Sequence, residues 1–368
     1  MGAHVFIVTT DTYPIVKNRG IAAIISEDPS KSLSEKTRSD ILADISCTRK
    51  GDRIFFYEIG KGFHGIYETI GLPFIDEDEI EYNRQYLFGS KNNPHFIKDS
   101  LVFPNRVLIR PKVYLEKPIN EWRNASKSAF GRFTSAIDLR SIFYKKVLGR
   151  GKSITHLFPE EENKLTELLT KANEGKSGEL QYIPYKPKKP ESIVFNLRPT
   201  SKGEVKYEKI LEGWIIQNID NPSANMNQFL GDLEEIECFA NYVPVSIAGG
   251  NLDIVVFHKK KETGKRYKVT IIELKKGEIV KNDIEQVESY IKWSAENLTK
   301  TIEEKTQKIE IDLLSRLEII QPVVIGKGIS DSAIQKCKDY SLNYQKPIII
   351  EYNLDHRYYK INFNCINY

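Results

Sequence analysis

The sequence predicts an α+β amino-terminal half built on a small bent β-sheet, followed by an α/β carboxy-terminal half built on a mixed sheet. Three observations predict it. The chain has 368 residues, more than the roughly 100–200 that one domain usually holds. A stretch rich in Pro, Gly, Ser and Lys at 174–204, with Pro184, Pro187, Pro190 and Pro199, separates two patterned regions. Proline removes a backbone donor and restricts the residue before it, so this stretch reads as an extended linker between domains at 1–173 and 205–368. Third, short strands precede the linker, whereas a near-continuous apolar run of the kind buried on both faces follows it.

Each element has a local reason. The apolar run at 4–10 starts a strand. Residues 34–47 place Ile41, Leu42 and Ile45 at helical spacing, with Ser34 as N-cap. Gly51-Asp52 is a turn and 53–58 (RIFFYE) a strand; Gly60-Lys61-Gly62 turns into a partner at 64–69. Residues 106–109 and 112–115 read as one strand interrupted by Pro111. At 160–172 acidic residues fill the first turn of a helix, where the dipole favours them.

Beyond the linker, 207–217 is an amphipathic helix with Ile210, Leu211, Trp214 and Ile215 near one face. Strands are expected at 233–239, 252–257, 269–274 (VTIIEL), 321–325 and 347–352, with helices at 283–293 and 330–340.

Composition excludes several classes. Hydrophobic residues are 40% and charged residues 28%, which rules out wholesale disorder. No apolar run reaches the ~18 residues of a membrane span, and the start MGAHVFIVTTDTY lacks a secretory pattern. Cys47, Cys238, Cys337 and Cys365 are scattered and form no CxxC, which excludes a disulfide scaffold and a structural zinc site and fits a reducing cytoplasm. The net charge of +4, from 54 basic and 50 acidic side chains, argues against a uniformly basic nucleic-acid-binding coat. Basic clusters do occur at 186–189, 259–261 and 275–276.

The strongest chemical signal is Asp253 in GGNLDIVVF followed by Glu273-Leu274-Lys275 at the end of VTIIELKKG. Residues two apart in a strand share a side, so Glu273 and Lys275 face one site. Two carboxylates supply the hard oxygens that Mg²⁺ takes while waters and a substrate phosphate complete its shell. A lysine there orients water and offsets phosphate charge.

These residues carry a resemblance. The order G-x-L-D-I-V, apolar strand, I-E-L-K-K-G, then Gln286-Val287-Glu288-Ser289-Tyr290 resembles the PD-(D/E)xK nuclease superfamily. Over about 205–352 it is most similar to the archaeal and actinobacterial mismatch endonucleases of the NucS type. The resemblance implies a restriction-endonuclease-like fold, Asp253 and Glu273 as ligands for Mg²⁺ or Mn²⁺, and Lys275 as the water-activating residue. It also implies Gln286 as support and an acid from the first helix, Glu208 with Glu212 as rival. The basic hairpin HKKKETGKRYK between the two strands is either a solvated turn or a phosphate-contacting arm.

In the first half, Arg49-Lys50-Gly51-Asp52-Arg53-Ile54-Phe55-Phe56-Tyr57 followed by GIYETIGLPFID is similar to the EVE/YTH-like group of PUA-type domains. That resemblance covers about 1–172 and implies binding of nucleic acid, RNA included, or of a flipped modified base stacked on aromatic faces. Phe56, Tyr57, Tyr67, Tyr82, Tyr86 and Trp122 are the candidate stacking residues, and the family's usual tryptophans are missing except for Trp122. Arg106, Arg110, Lys112 and Lys276 are candidate phosphate contacts. The expectation is a cytoplasmic DNA endonuclease of restriction type acting on double-stranded DNA, paired as a homodimer because each chain has one site for two strands. A mismatch-repair endonuclease and a non-catalytic nucleic-acid-binding protein are its rivals.

Overall fold

A computed structural model describes residues 2–24, 34–77, 80–81, 96–97, 100–101, 103–119, 153–180, 182–245, 250–297, 319–340, 345–357 and 359–368. The chain divides into two units, Met1–Val194 and Phe195–Tyr368. Both mix helices with mixed sheets, so the fold class is α+β with an α/β second unit.

The first unit contains β1 (Ala3–Val8), α1 (Tyr13–Arg19), β2 (Ile21–Ile24), α2 (Glu35–Ile45), β3 (Arg53–Glu58) and β4 (Gly62–Thr69). The short strands β5 (Phe74–Ile75), β6 (Ile80–Glu81), β7 (Phe96–Ile97) and β8 (Ser100–Leu101) follow. The unit ends with β9 (Asn105–Pro111), β10 (Ile154–Leu157), α3 (Pro159–Ala172) and β11 (Glu191–Ser192). Its main sheet runs β10-β1-β3-β4-β9-β5-β11 with β2 on β9, eight strands where a small sheet was expected. Ser34 does cap α2, its hydroxyl accepting from Thr37 N–H at 3.1 Å. The strand at 105–111 stops at Pro111, and 112–115 does not continue it. Ala3, Val5, Phe55, Tyr57, Phe63, Leu165 and Leu169 form a core that seats α3 against the sheet.

The stretch predicted as a linker is irregular, yet much of it is bound to the first unit. Tyr182 hydroxyl donates to Ile109 carbonyl at 2.7 Å, the Ile183 and Tyr185 amides donate to Asn18 and Arg19 carbonyls, and β11 pairs with β5. Gly20 has φ +63, and a Cβ there would lie 2.2 Å from the Tyr182 ring, so only glycine admits this strap.

The second unit contains α4 (Glu208–Asn218), α5 (Asn227–Leu230), β12 (Ile236–Pro244), β13 (Asn251–Lys259), β14 (Arg266–Leu274) and β15 (Glu278–Ile279). Then come α6 (Lys281–Asn297), β16 (Ile319–Gly326), β17 (Gly328–Ile329), α7 (Asp331–Lys338), β18 (Ile348–Asp355) and β19 (Lys360–Ile366). Its six-stranded sheet is ordered β12-β13-β14-β16-β18-β19. The pairs β12–β13, β13–β14 and β18–β19 are antiparallel; β14–β16 and β16–β18 are parallel. Residues 233–235, expected to open a strand, form a 3₁₀ turn capped by Asp232. In β14 the run Val269–Leu274 is wholly buried, as its apolar sequence requires.

Candidate active site

The site is built where β13, β14 and two helices meet. Register pairs Ile254 with Ile272, and one step further sets Asp253 opposite Glu273, with both side chains on one face. The Leu274 amide donates to Asp253 Oδ2 at 2.8 Å, which ties the carboxylate to the neighbouring strand. Lys275, just past β14, keeps its backbone on β16 through a 2.8 Å bond to Ile325 carbonyl. Its ammonium lies 2.9 Å from Glu273 Oε1, 3.3 Å from Asp283 Oδ1 and 3.4 Å from Gln286 Oε1.

The supporting groups come from one face of α6. Asp283, Gln286 and Tyr290 recur at helical spacing, and Gln286 Nε2 donates to Tyr290 hydroxyl at 2.5 Å. From α4, Glu208 Oε1 accepts from the Lys276 amide at 3.3 Å. Glu212, one turn on, is buried; its oxygens accept from Asn241 Nδ2 at 2.6 Å and Lys209 Nζ at 2.5 Å. The two α4 acids flank different halves of the pair: Glu212 acts on Asp253, and Glu208 on Glu273.

Electrostatics set the pair apart. Burial, then the Glu273 and Glu212 charges, push the Asp253 carboxyl well above the usual range. Burial also raises Glu273, reinforced by Glu208 and Asp283 and opposed by Lys275. Burial alone would lower Lys275, but the Glu273 and Asp283 carboxylates outweigh it, so the amine is held protonated. Glu273 Oε2 is buried with no hydrogen-bond partner among the described residues. Leaving a carboxylate oxygen so placed is costly unless a proton or cation joins it.

That orphaned oxygen is the test of whether a metal ion fits. Among the described residues no group of three or more His, Cys, Asp or Glu side chains converges as a metal cage. Magnesium seldom uses one; it binds through one or two carboxylates, its own waters and substrate phosphate. Asp253 and Glu273 fit that donor set.

Two expected DNA contacts are corrected. Arg106 is fully buried. Its Nη1 donates to Tyr185 hydroxyl at 2.6 Å and lies 3.5 Å from Asp76, and its Nε donates to Phe103 carbonyl. An arginine sealed in this way holds the strap and cannot meet a phosphate. Tyr57 is also buried, packed 4.9 Å from the Phe63 ring, as are Phe56 and Tyr67, so none of them offers a face to a base. Arg110 and Lys112 are exposed but share Glu68, at 3.0 and 3.7 Å. Lys276 is exposed beside Lys275. Trp122, Tyr82 and Tyr86 lie outside the described residues. In the basic hairpin Lys261 is held by Asp232 at 2.9 Å and Glu234 at 2.6 Å, which favours the turn over the phosphate arm.

No protein-family model and no curated protein matches the chain. Among solved structures it is similar to human THYN1 protein, solved in complex with DNA containing 5-methylcytosine (13% identity, TM-score 0.28, covering 46% of this chain and 98% of that one). It is also similar to a protein from Agrobacterium tumefaciens (14%, TM-score 0.26, 49% and 100%). A third is from Rhodopseudomonas palustris (16%, TM-score 0.23, 48% and 97%).

Sequence reasoning missed Asp283, Asn241 and Lys209. Asp283 was within reach, because it precedes Gln286 by three residues on one helix face. Asn241 was not, since only strand pairing brings it to α4.

Proposed function

We propose that the chain is a divalent-metal-dependent endonuclease that hydrolyses phosphodiester bonds of double-stranded DNA in a restriction role. In this reading the first unit reads a modified base or short sequence. The carrying observation is the unpartnered Glu273 Oε2 across the strand pair from Asp253 and beside a protonated Lys275.

The chain's own groups divide the work. Asp253 and Glu273 would hold Mg²⁺ or Mn²⁺, which would supply polarisation of the phosphate and a lowered pKa for bound water. With Glu273 given to the ion, the Lys275 N–H that now meets it would be left for the attacking water, and the ammonium charge would offset the charge developing on the phosphate. Gln286, anchored by Tyr290, keeps the ammonium in place. Glu208 bounds the site through the Lys276 amide. Hydrolysis adds one water across a P–O bond, so no further reactant is needed.

The order of the motifs also favours a mismatch-repair endonuclease, and the substrate panel separates the two. Plain, methylated and mismatched duplexes are offered with Mg²⁺, and products are resolved on a denaturing gel. Cutting confined to mismatches would replace restriction with repair. Asp253→Ala and Lys275→Ala should each lower cleavage by at least ~100-fold while DNA binding persists. Full activity in either variant sinks the assignment.

A further inference from the structure

Asp283 is an acid at the site to which the nuclease motif gives no role. Its Oδ2 accepts from the Val280 amide at 2.8 Å, closing the turn that leads into α6. Its Oδ1 is turned to Lys275 Nζ at 3.3 Å. The ammonium has three donors, and Glu273, Asp283 and Gln286 take all three directions.

This sharing has a consequence for cation entry. Lys275 and a divalent ion both draw on the charge of Glu273, so an ammonium tied to Glu273 alone competes with the ion. A second carboxylate, already in contact, lets the ammonium move over without losing its anionic partner. We propose that Asp283 is a positioning residue that takes the Lys275 ammonium when a divalent cation occupies Glu273, so that the lysine remains beside the cation rather than blocking it. The inference rests on the reading of Asp253 and Glu273 as a metal pair.

The rival is that Asp283 only caps the turn. Asp283→Asn keeps an oxygen for the Val280 amide and removes the charge. Mn²⁺ is titrated into the full-length, DNA-free chain and followed by electron paramagnetic resonance, with Asp253→Ala defining the site. Asp283→Asn should bind Mn²⁺ about fivefold more weakly at an unchanged melting temperature, and Asp283→Glu should recover most of the loss. In a Lys275→Met background Asp283→Asn should have no further effect, whereas a direct field of Asp283 on the ion would persist there. Equal affinity in wild type and Asp283→Asn, or an equal loss in the Lys275→Met background, overturns the inference and leaves the metal pair standing. Absence of Asp253-dependent Mn²⁺ binding in the wild type overturns both. Should Asp283→Asn unfold, Asp283→Glu against Asp283→Ser in the two backgrounds makes the same comparison.

Discussion

His258 and Asp52 show how one side chain ties the fold to pH. His258 is buried on β13; Nε2 meets Thr270 hydroxyl at 2.9 Å, and Nδ1 has no partner among the described residues. Burial, then the nearby Lys268, lower its pKa to about 3. The unfolded chain therefore binds a proton that the folded chain refuses between the ordinary value near 6.5 and about 3. Stability is full above 6.5 and falls with pH through that window, by ~1.4 kcal/mol per pH unit for one such group. His258→Asn should flatten the slope of denaturation free energy between pH 6 and 4 by about that amount; an unchanged slope contradicts it. Buried His64, lowered to about 4 mainly by burial and opposed by Glu58, adds a parallel slope that this variant leaves intact. Asp52 works in the other sense. It accepts from His4 at 2.8 Å, from the Gly2 amide at 2.6 Å and from the Arg49 amide at 2.8 Å. Burial raises its pKa, but the His4 bond and charge and these amides outweigh it, so the net shift is downward. Its contribution is present above the ordinary carboxylate value and lost as pH falls through the depressed one. The residue scale is also where sequence reading was least even. That Asp253, Glu273 and Lys275 come together was legible from strand periodicity. Arg106 was not, because an arginine looks the same in sequence whether solvated or sealed, and its partner Tyr185 is 79 residues away.

At the scale of elements, local signals were enough for most of the frame. The strand Arg53–Glu58 and the helix ending at Ala172 have the ends that turns and apolar spacing predict. β19 escaped notice. Ile361 and Phe363 alternate with exposed neighbours, but its Lys and Asn residues weaken strand propensity, and pairing with β18 supplies the difference. The strap at 182–193 is the larger lesson: proline composition foretold irregular backbone but not that tyrosines would anchor it. Helix α4 gives a test of element packing. Gly213 lies inside the helix, where alanine usually gains ~1 kcal/mol. A Cβ there would come within 2.2 Å of the Phe195 ring, which sits against the helix. Overpacking of this kind costs ~1–3 kcal/mol, so Gly213→Ala should lower stability in urea denaturation despite its better propensity. A gain would mean that Phe195 moves aside freely.

At the scale of the whole molecule, a net charge of +4 has to be reconciled with DNA as the proposed partner. The structure reduces the supply of cations rather than enlarging it. Arg106 is sealed, Lys261 is neutralised by Asp232 and Glu234, and Arg110 and Lys112 share Glu68. Lys276 remains an exposed cation next to Lys275 in the chain. The sequence concentrates positive charge elsewhere, in Arg123, Lys127, Arg132, Arg140, Lys145, Lys146, Arg150 and Lys152, against Glu121 and Asp138 over 120–152. Each lysine that meets a phosphate releases condensed counterions and adds about one unit to the salt slope of binding. In the Asp253→Ala background, which binds without cutting in the proposed reading, three variants then separate by fluorescence anisotropy across a KCl series. Lys276→Gln should lower the slope by about 1, and the pair Lys145→Gln with Lys146→Gln by about 2. Arg106→Gln should leave the slope unchanged while lowering the unfolding midpoint, because it strips a buried carboxylate and tyrosine of their partner. A slope indifferent to Lys276 and to the 145–146 pair alike would assign the DNA contacts to neither group of lysines and remove the charge argument for this partner.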